Sequence, residues 1–185
     1  MEVMPTSAVA WSHVVLENFL KKDHLAVDLT AGNGKDTLFL ARRASRVLAM
    51  DIQQAAMDKT EALLKKEAIK NAELILDSHE NVSRYVELSE VDAFVMNLGY
   101  LPGGDKEITT TWPATKRTLN AILANMKFGA LISLAIYPGH DAGKVESEGM
   151  EALIGALDQK AYKVVKITFP NQNHCPPYWV GIARC

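Results

Sequence analysis

Leu25-Ala26-Val27-Asp28-Leu29-Thr30, followed by Ala31-Gly32-Asn33-Gly34-Lys35-Asp36, decides the fold. LAVDLT (25–30) is a short apolar strand, AGNGKD is a turn, and the residues after it form an amphipathic helix through Arg43. The same unit recurs on both sides. RVLAMD (46–51) predicts a second strand and QQAAMDKTEALLKKEA (53–68) a helix of strong formers. AELIL (72–76) predicts a third strand, with a short helix at 80–87. VDAFVMN (91–97) is apolar almost throughout, the pattern of a strand buried on both faces. A Gly/Pro-containing connection (99–112) leads to a helix at 113–126, the strand ALISLAIY (130–137) and a helix at 144–157. YKVVKITF (162–169) and YWVGIAR (178–184) are the last two strands, separated only by PNQNHCPP (170–177). Upstream, Thr6 or Ser7 caps a helix that sets Trp11, Val15 and Phe19 on one face and ends near Lys21-Lys22.

Strand and helix alternate from end to end, which implies an α/β fold: a doubly wound, mostly parallel sheet of seven strands. The connection before the last strand is too short for a crossover, so that strand runs antiparallel to the sixth. A length of 185 residues is one domain, residues 1–185. The chain is 48% hydrophobic and 23% charged, which excludes disorder as its main theme. Twenty Lys and Arg against 22 Asp and Glu give a net charge of −2, so the chain is no general polycation. Cys175 and Cys185 make neither a disulfide framework nor, with the histidines, a zinc site, and no metal is expected. No apolar run reaches membrane-spanning length, and MEVMPTSAVAW (1–11) has no basic flank before an apolar core. A cytoplasmic protein without a membrane partner is the expectation.

In such a sheet, ligands bind outside the carboxyl ends of the strands. Asp28, Gly32, Asn33 and Gly34 stand there, after the first strand. The glycines permit positive φ and close approach of the backbone to an anionic portion of a ligand. Asp51, at the end of the second strand and 19 residues after Gly32, is placed to accept both hydroxyls of a ribose. A nicotinamide fingerprint wants a small third residue, and Thr37 occupies that position. Asp77-Ser78-His79 ends the third strand, where a polar side chain can meet an adenine. Asn97 ends the fourth and brings an amide into the cleft.

These motifs resemble class I S-adenosylmethionine-dependent methyltransferases, whose fold is Rossmann-like. VDLTAGNGKDTLFLA is similar to their first motif, AMDIQ to the ribose-binding second, and MNLGYLPGGD holds the place of the catalytic fourth. With LDSHENV, YPGHDAGKVESEG and NQNHCPPYWV, nearly the whole chain resembles a small bacterial family labelled rRNA methylases. The resemblance implies S-adenosyl-L-methionine as cofactor, a homodimer, and N-methylation of the aminomethyl group of 5-aminomethyl-2-thiouridine at the tRNA wobble position. It implies cofactor contacts at Asn33, Asp51, Gln53, Ser78 and His79 beside the backbone of Gly32 and Gly34, and Asp28, Ile52 and Asn97 are further candidate cofactor contacts. Leu98-Gly99 replaces the two prolines of the N-P-P-Y pattern, so the motif alone leaves the acceptor atom open. An rRNA or small-molecule methyltransferase, a nicotinamide-dependent oxidoreductase and a non-catalytic nucleotide-binding module are the alternatives.

For an amine acceptor, the Asn97 oxygen with the Leu98 carbonyl would receive N–H bonds and aim the lone pair at the methyl. Asn97 and Tyr100 are therefore the candidate catalytic residues, with Tyr100 either stacking on a base or anchoring its loop. Leu98, Gly99, Asp105 and His140 complete the candidate substrate contacts, and Lys106 shares the loop of Asp105. Cys175 reads as a small buried residue. Residues 159–185 carry Lys160, Lys163, Lys166 and Arg184 without an acidic residue, a local +4, and Arg42, Arg43 and Arg46 form a second cluster. Either cluster is a candidate contact for a tRNA anticodon arm.

Overall fold

The computed structural model describes residues 4–101, 103–105 and 107–185, so the expectation placed on Lys106 lies outside the described residues. One seven-stranded sheet has the order β3-β2-β1-β4-β5-β7-β6. The strands are β1 (Leu25–Asp28), β2 (Arg46–Asp51), β3 (Ala72–Leu76), β4 (Ala93–Leu98), β5 (Leu131–Ile136), β6 (Tyr162–Ile167) and β7 (Tyr178–Arg184). The first five are mutually parallel, and β7 lies antiparallel between β5 and β6. The short final hairpin thus reverses direction as expected, and it inserts β7 inside β6 rather than adding it at the edge.

The period-two alternation along the central strands explains the layers. Val27, Leu48, Phe94, Met96, Ile132 and Leu134 share one face, a large-residue surface packed by Leu119, Ile122 and Met150. Those three come from α4 (Trp112–Asn125) and α5 (Asp141–Gly155). The opposite face presents Ala26, Ala93, Val47 and Val95, small enough to seat Leu16 and Leu40. These belong to α1 (Ala8–Phe19) and α2 (Lys35–Ala41). On the same side, α3 (Gln54–Lys66) packs Met57 against Ala31 and Ala49. A buried polar knot fixes α1 to β5 and β7: the Ser12 and Ser133 hydroxyls lie 2.7 Å apart, and Trp179 Nε1 donates to Ser133 Oγ at 2.8 Å.

Element ends differ from the sequence expectation for local reasons. Ser7 caps α1, accepting from the Ala10 N–H, and the helix stops at Phe19 because Leu20 is extended. α2 ends at Ala41, two residues before Arg43. The short helix after β3 is 3-10, over His79–Arg84, with the Ser78 hydroxyl at its N-terminus. α5 begins at Asp141 because His140 caps it, its Nδ1 accepting from the Gly143 N–H at 3.1 Å.

Candidate active site

The carboxyl ends of β1, β2, β4 and β5 open into a cavity of about 960 Å3. That is the upper end of the roughly 300–1,000 Å3 of small-molecule sites. Its floor is the turn after β1. Gly32 has φ +54° and Gly34 φ +77°. A Cβ on Gly34 would stand 2.9 Å from Thr60 Cα of α3, so the turn closes there only with glycine. Gly32 and Asn33 face the cavity, whereas Gly34 lies outside its lining, against α3.

Asp51 reaches back to that turn. One carboxylate oxygen accepts the Gly32 N–H and the other the Gln53 N–H, both at 2.9 Å. Each oxygen keeps a second lone pair, and Ile52 beside it is an exposed apolar side chain on the cavity wall. Asp28 does something else. It is wholly buried beneath the turn, outside the cavity lining, and accepts from Thr37 Oγ1 at 2.6 Å and the Thr30 N–H at 3.2 Å. Burial, with Asp36 and more weakly Asp51 adding negative charge, pushes its carboxyl from 3.8 up to about 7, against the opposing pull of those two hydrogen bonds. Its contacts are with the Thr30 N–H of the turn and the Thr37 hydroxyl of α2, because β1 directs its side chain into the layer beneath α2.

Gln53, Ser78 and His79 stand on the next part of the wall. His79 is buried, its Nδ1 2.8 Å from Thr118 Oγ1, which itself donates to the Ala114 carbonyl at 3.1 Å. The tautomer with its proton on Nδ1, which pairs with a Thr118 hydroxyl donating to Ala114, leaves Nε2 as an acceptor. Desolvation lowers the His79 pKa, which favours this neutral form; the charges of Glu80 and Asp51 oppose the shift.

Asn97 occupies the centre. Its backbone N–H donates to Thr30 Oγ1 at 2.8 Å, and its side-chain Nδ2 donates to Asp36 Oδ2 at 2.5 Å. The other Asp36 oxygen meets His13 Nε2 at 2.5 Å. One Nδ2 N–H is held on Asp36, the Oδ1 of the amide is its acceptor, and His13, Asp36 and Asn97 all line the cavity. Neither His13 nor Asp36 is legible as a site residue in the sequence. The position of Asp36 directly after the glycine turn was the available signal; His13 comes from α1 and has none.

Leu98, Gly99, Tyr100 and His140 line the far side. The Leu98 side chain is core, while Tyr100 is partly exposed and tilted against the His140 ring at 5.6 Å between centroids. The loop from Gly99 to Thr111 folds back on itself through a bridge between Tyr100 and Thr109. Buried Glu146 of α5 pins it, accepting from Thr110 Oγ1 at 2.7 Å and from Thr115 Oγ1 at 2.6 Å. Burial raises the Glu146 pKa, opposed by those two hydroxyls. Glu146 lies within YPGHDAGKVESEG, where no spacing or residue type singles it out. Asp105 lies outside the cavity lining, on the exposed crest of the loop, where its Oδ1 caps the Glu107 N–H at 2.9 Å.

His174 and Cys175 close the rim, both in the left-handed region at φ 63° and 50°. Cys175 is exposed, contrary to the sequence expectation, because this backbone turn carries it outward over Gly139. Among the described residues no cluster of His, Cys, Asp and Glu is arranged to hold a metal ion, and no helix is long and apolar enough to cross a membrane.

The strand order with its reversed inner strand, the glycine turn and the carboxylate at the end of β2 define a class I methyltransferase, a class whose methyl donor is S-adenosylmethionine. The chain belongs to the family described as "Putative rRNA methylase", which it matches over residues 47–183. It is 35% identical over 181 residues to an Arabidopsis thaliana protein named tRNA (mnm(5)s(2)U34)-methyltransferase, chloroplastic, covering 89% of this chain. The chain spans 65% of that relative's length. Among solved structures, a "putative methyltransferase" of Streptococcus mutans in complex with SAH is 33% identical, with TM-score 0.91 over 98% of this chain and 100% of that one. A "putative rRNA-methylase" of Clostridium thermocellum is 34% identical, with TM-score 0.94 over 99% and 100%.

Proposed function

We propose that this chain transfers the methyl group of S-adenosylmethionine to a primary amine, the aminomethyl group of 5-aminomethyl-2-thiouridine at the wobble position of tRNA. The observation that carries the reading is the Asn97 amide at the end of β4, which lines the cavity and is held by Asp36 through Nδ2. An amide oxygen accepts an N–H bond yet cannot take up a proton at neutral pH, which suits a nucleophile that needs aiming rather than activation. The relative named as a tRNA wobble methyltransferase supports this acceptor, and the family resemblance supports the cofactor.

In the cofactor, the sulfonium supplies the methyl and a good leaving group. Asp51 would receive the ribose hydroxyls through its remaining lone pairs, and His79, in the tautomer with its proton on Nδ1, would receive an adenine N–H at Nε2. The unprotonated amine attacks the methyl carbon in line. Orientation of such a pair contributes about 7–11 kcal/mol. The adjacent sulfonium charge also lowers the amine pKa. Tyr100, exposed at the cavity edge, is offered to the base as a stacking surface.

Nucleoside mass analysis of tRNA from cells with and without the gene tests the assignment. Wobble 5-aminomethyl-2-thiouridine is expected to accumulate without the gene; its absence from that tRNA rejects the substrate. In vitro, Asn97→Ala is expected to keep S-adenosylhomocysteine affinity within about threefold while turnover falls about 100-fold or more. Unchanged turnover would remove Asn97 from the mechanism.

A further inference from the structure

Asn97 does not stand alone at the acceptor end of the cavity. Asp36 Oδ2 is 2.5 Å from Asn97 Nδ2, so this carboxylate oxygen and the Asn97 oxygen belong to adjoining groups on one stretch of wall. Asp36 is itself fixed from behind. His13 Nε2 meets its other oxygen at 2.5 Å, and the His13 ring stacks on Phe39 with centroids 3.9 Å apart and planes within 8°. The Arg43 guanidinium covers Phe39 at 3.7 Å and bonds Glu17 at 2.6 Å. This builds a rigid chain of side chains from the protein surface to the cavity, ending on an anionic acceptor whose second lone pair is uncommitted in these contacts.

A neutral primary amine has two N–H donors and one lone pair. One acceptor leaves the lone pair free to rotate, whereas two acceptors fix its direction. We infer that Asp36 is a second direct acceptor for the substrate amine, holding one N–H while Asn97 Oδ1 holds the other, with His13 as its positioning residue. The inference rests on the aminomethyl reading above. It assigns to a side chain the role that the sequence alone suggests for the Leu98 carbonyl.

The chemistry gives a carboxylate there a specific use. The amine enters unprotonated, having lost its extra proton to water. Its lone pair forms the C–N bond as the C–S bond breaks, and the departing pair stays on sulfur. Positive charge moves from sulfur to nitrogen while both N–H bonds remain. A carboxylate at the nitrogen gains attraction as that charge arrives, so it favours the transition state over the ground state. The charged and titratable groups near Asp36 are His13 of α1, Asp28 of β1 and Tyr137 after β5. The product is a secondary ammonium; once it gives one proton to water on release, the secondary amine has one N–H left and leaves one acceptor unmatched, so a second methylation is disfavoured.

A double-mutant cycle on an anticodon stem-loop carrying 5-aminomethyl-2-thiouridine tests this, with wild type, Asp36→Asn, Asn97→Ala and the double variant. S-adenosylhomocysteine titration reports folding and cofactor binding in each. Asp36→Asn is expected to lower single-turnover rate about 100-fold with cofactor affinity within about threefold. In the Asn97→Ala background it is expected to lower the rate by a further factor of about ten, because it touches the amine independently. No further loss in that background would make Asp36 a mere support for Asn97 and overturn the inference. So would a cofactor affinity weakened about tenfold or more, which would place Asp36 on the cofactor. Asp36→Ser, read the same way, replaces Asp36→Asn if that variant does not fold. Wild-type failure to methylate this RNA would instead count against the aminomethyl reading itself, and the acceptor role would fall with it.

Discussion

At the scale of single residues, chemical type and local order make Asp51 and Asn97 candidates because both end strands, where a sheet delivers side chains to its ligand edge, and both line the cavity. They misplaced Asp28, which ends a strand too. A strand alternates its side chains, so the residue one step from the turn drops beneath it, where Thr30 and Thr37 satisfy it. Its pKa, raised to about 7 from 3.8, makes a stability prediction. The folded chain keeps a proton that the unfolded chain releases, so the contribution is full below the unfolded value and is lost as pH rises through the folded one. Asp28→Asn, whose oxygen keeps the Thr30 N–H bond while its NH2 donates to the Thr37 hydroxyl in reverse, is expected to gain stability over wild type on the order of 3 kcal/mol at about pH 8. The gain should vanish near about pH 4. Urea unfolding at the two pH values measures it, and an equal difference at both would show that the native pKa of Asp28 is not raised above its unfolded value.

Elements impose a second set of constraints. The two glycines of the turn look equivalent in sequence and differ in the fold. Gly32 leaves 3.6 Å to the nearest atom from an added Cβ, whereas Gly34 leaves 2.9 Å to the Thr60 backbone. Gly32→Ala is expected to cost on the order of 1 kcal/mol, the penalty of left-handed φ alone. Gly34→Ala adds a backbone collision and is expected to cost about 3 kcal/mol or more, separating α2 from α3. Equal losses in chemical denaturation would contradict this geometry. Likewise, Ser133→Ala leaves the Trp179 N–H without its acceptor in the core and is expected to cost about 1–3 kcal/mol by the same measurement. The alternation of strand and helix, and the reversed last strand, were legible from periodicity and connection length. Helix ends were less so, because caps such as His140 and the extended Leu20 depend on side-chain geometry that periodicity does not carry.

Across the whole molecule, charge is placed in a way that composition hides. Lys160, Lys163 and Arg184 gather where β6 begins and β7 ends, at the amino edge of the parallel strands. Arg42, Arg43 and Arg46 belong to that edge too, and they pair with Glu67, Glu17 and Glu73. The cavity opens at the opposite edge. Lys160→Ala with Lys163→Ala is therefore expected to change anticodon-arm affinity by less than about twofold. Lys35→Ala, at the cavity wall, is expected to weaken it about tenfold and to lower the salt slope by about one. Filter binding over a salt series checks both, and a large effect of the distal lysines would relocate the RNA surface.

Periodic hydrophobicity and turn chemistry are local properties, so the sequence by itself determined the α/β alternation, the glycine turn, Asp51 and the amide at the end of β4. Tertiary structure alone decided where β7 inserts, which edge the basic clusters occupy, and that His13 and Asp36 back Asn97. The physical reason is sequence separation. His13 and Asn97 are far apart along the chain, and only the packing of α1 and α2 over the small-residue face brings them to one wall.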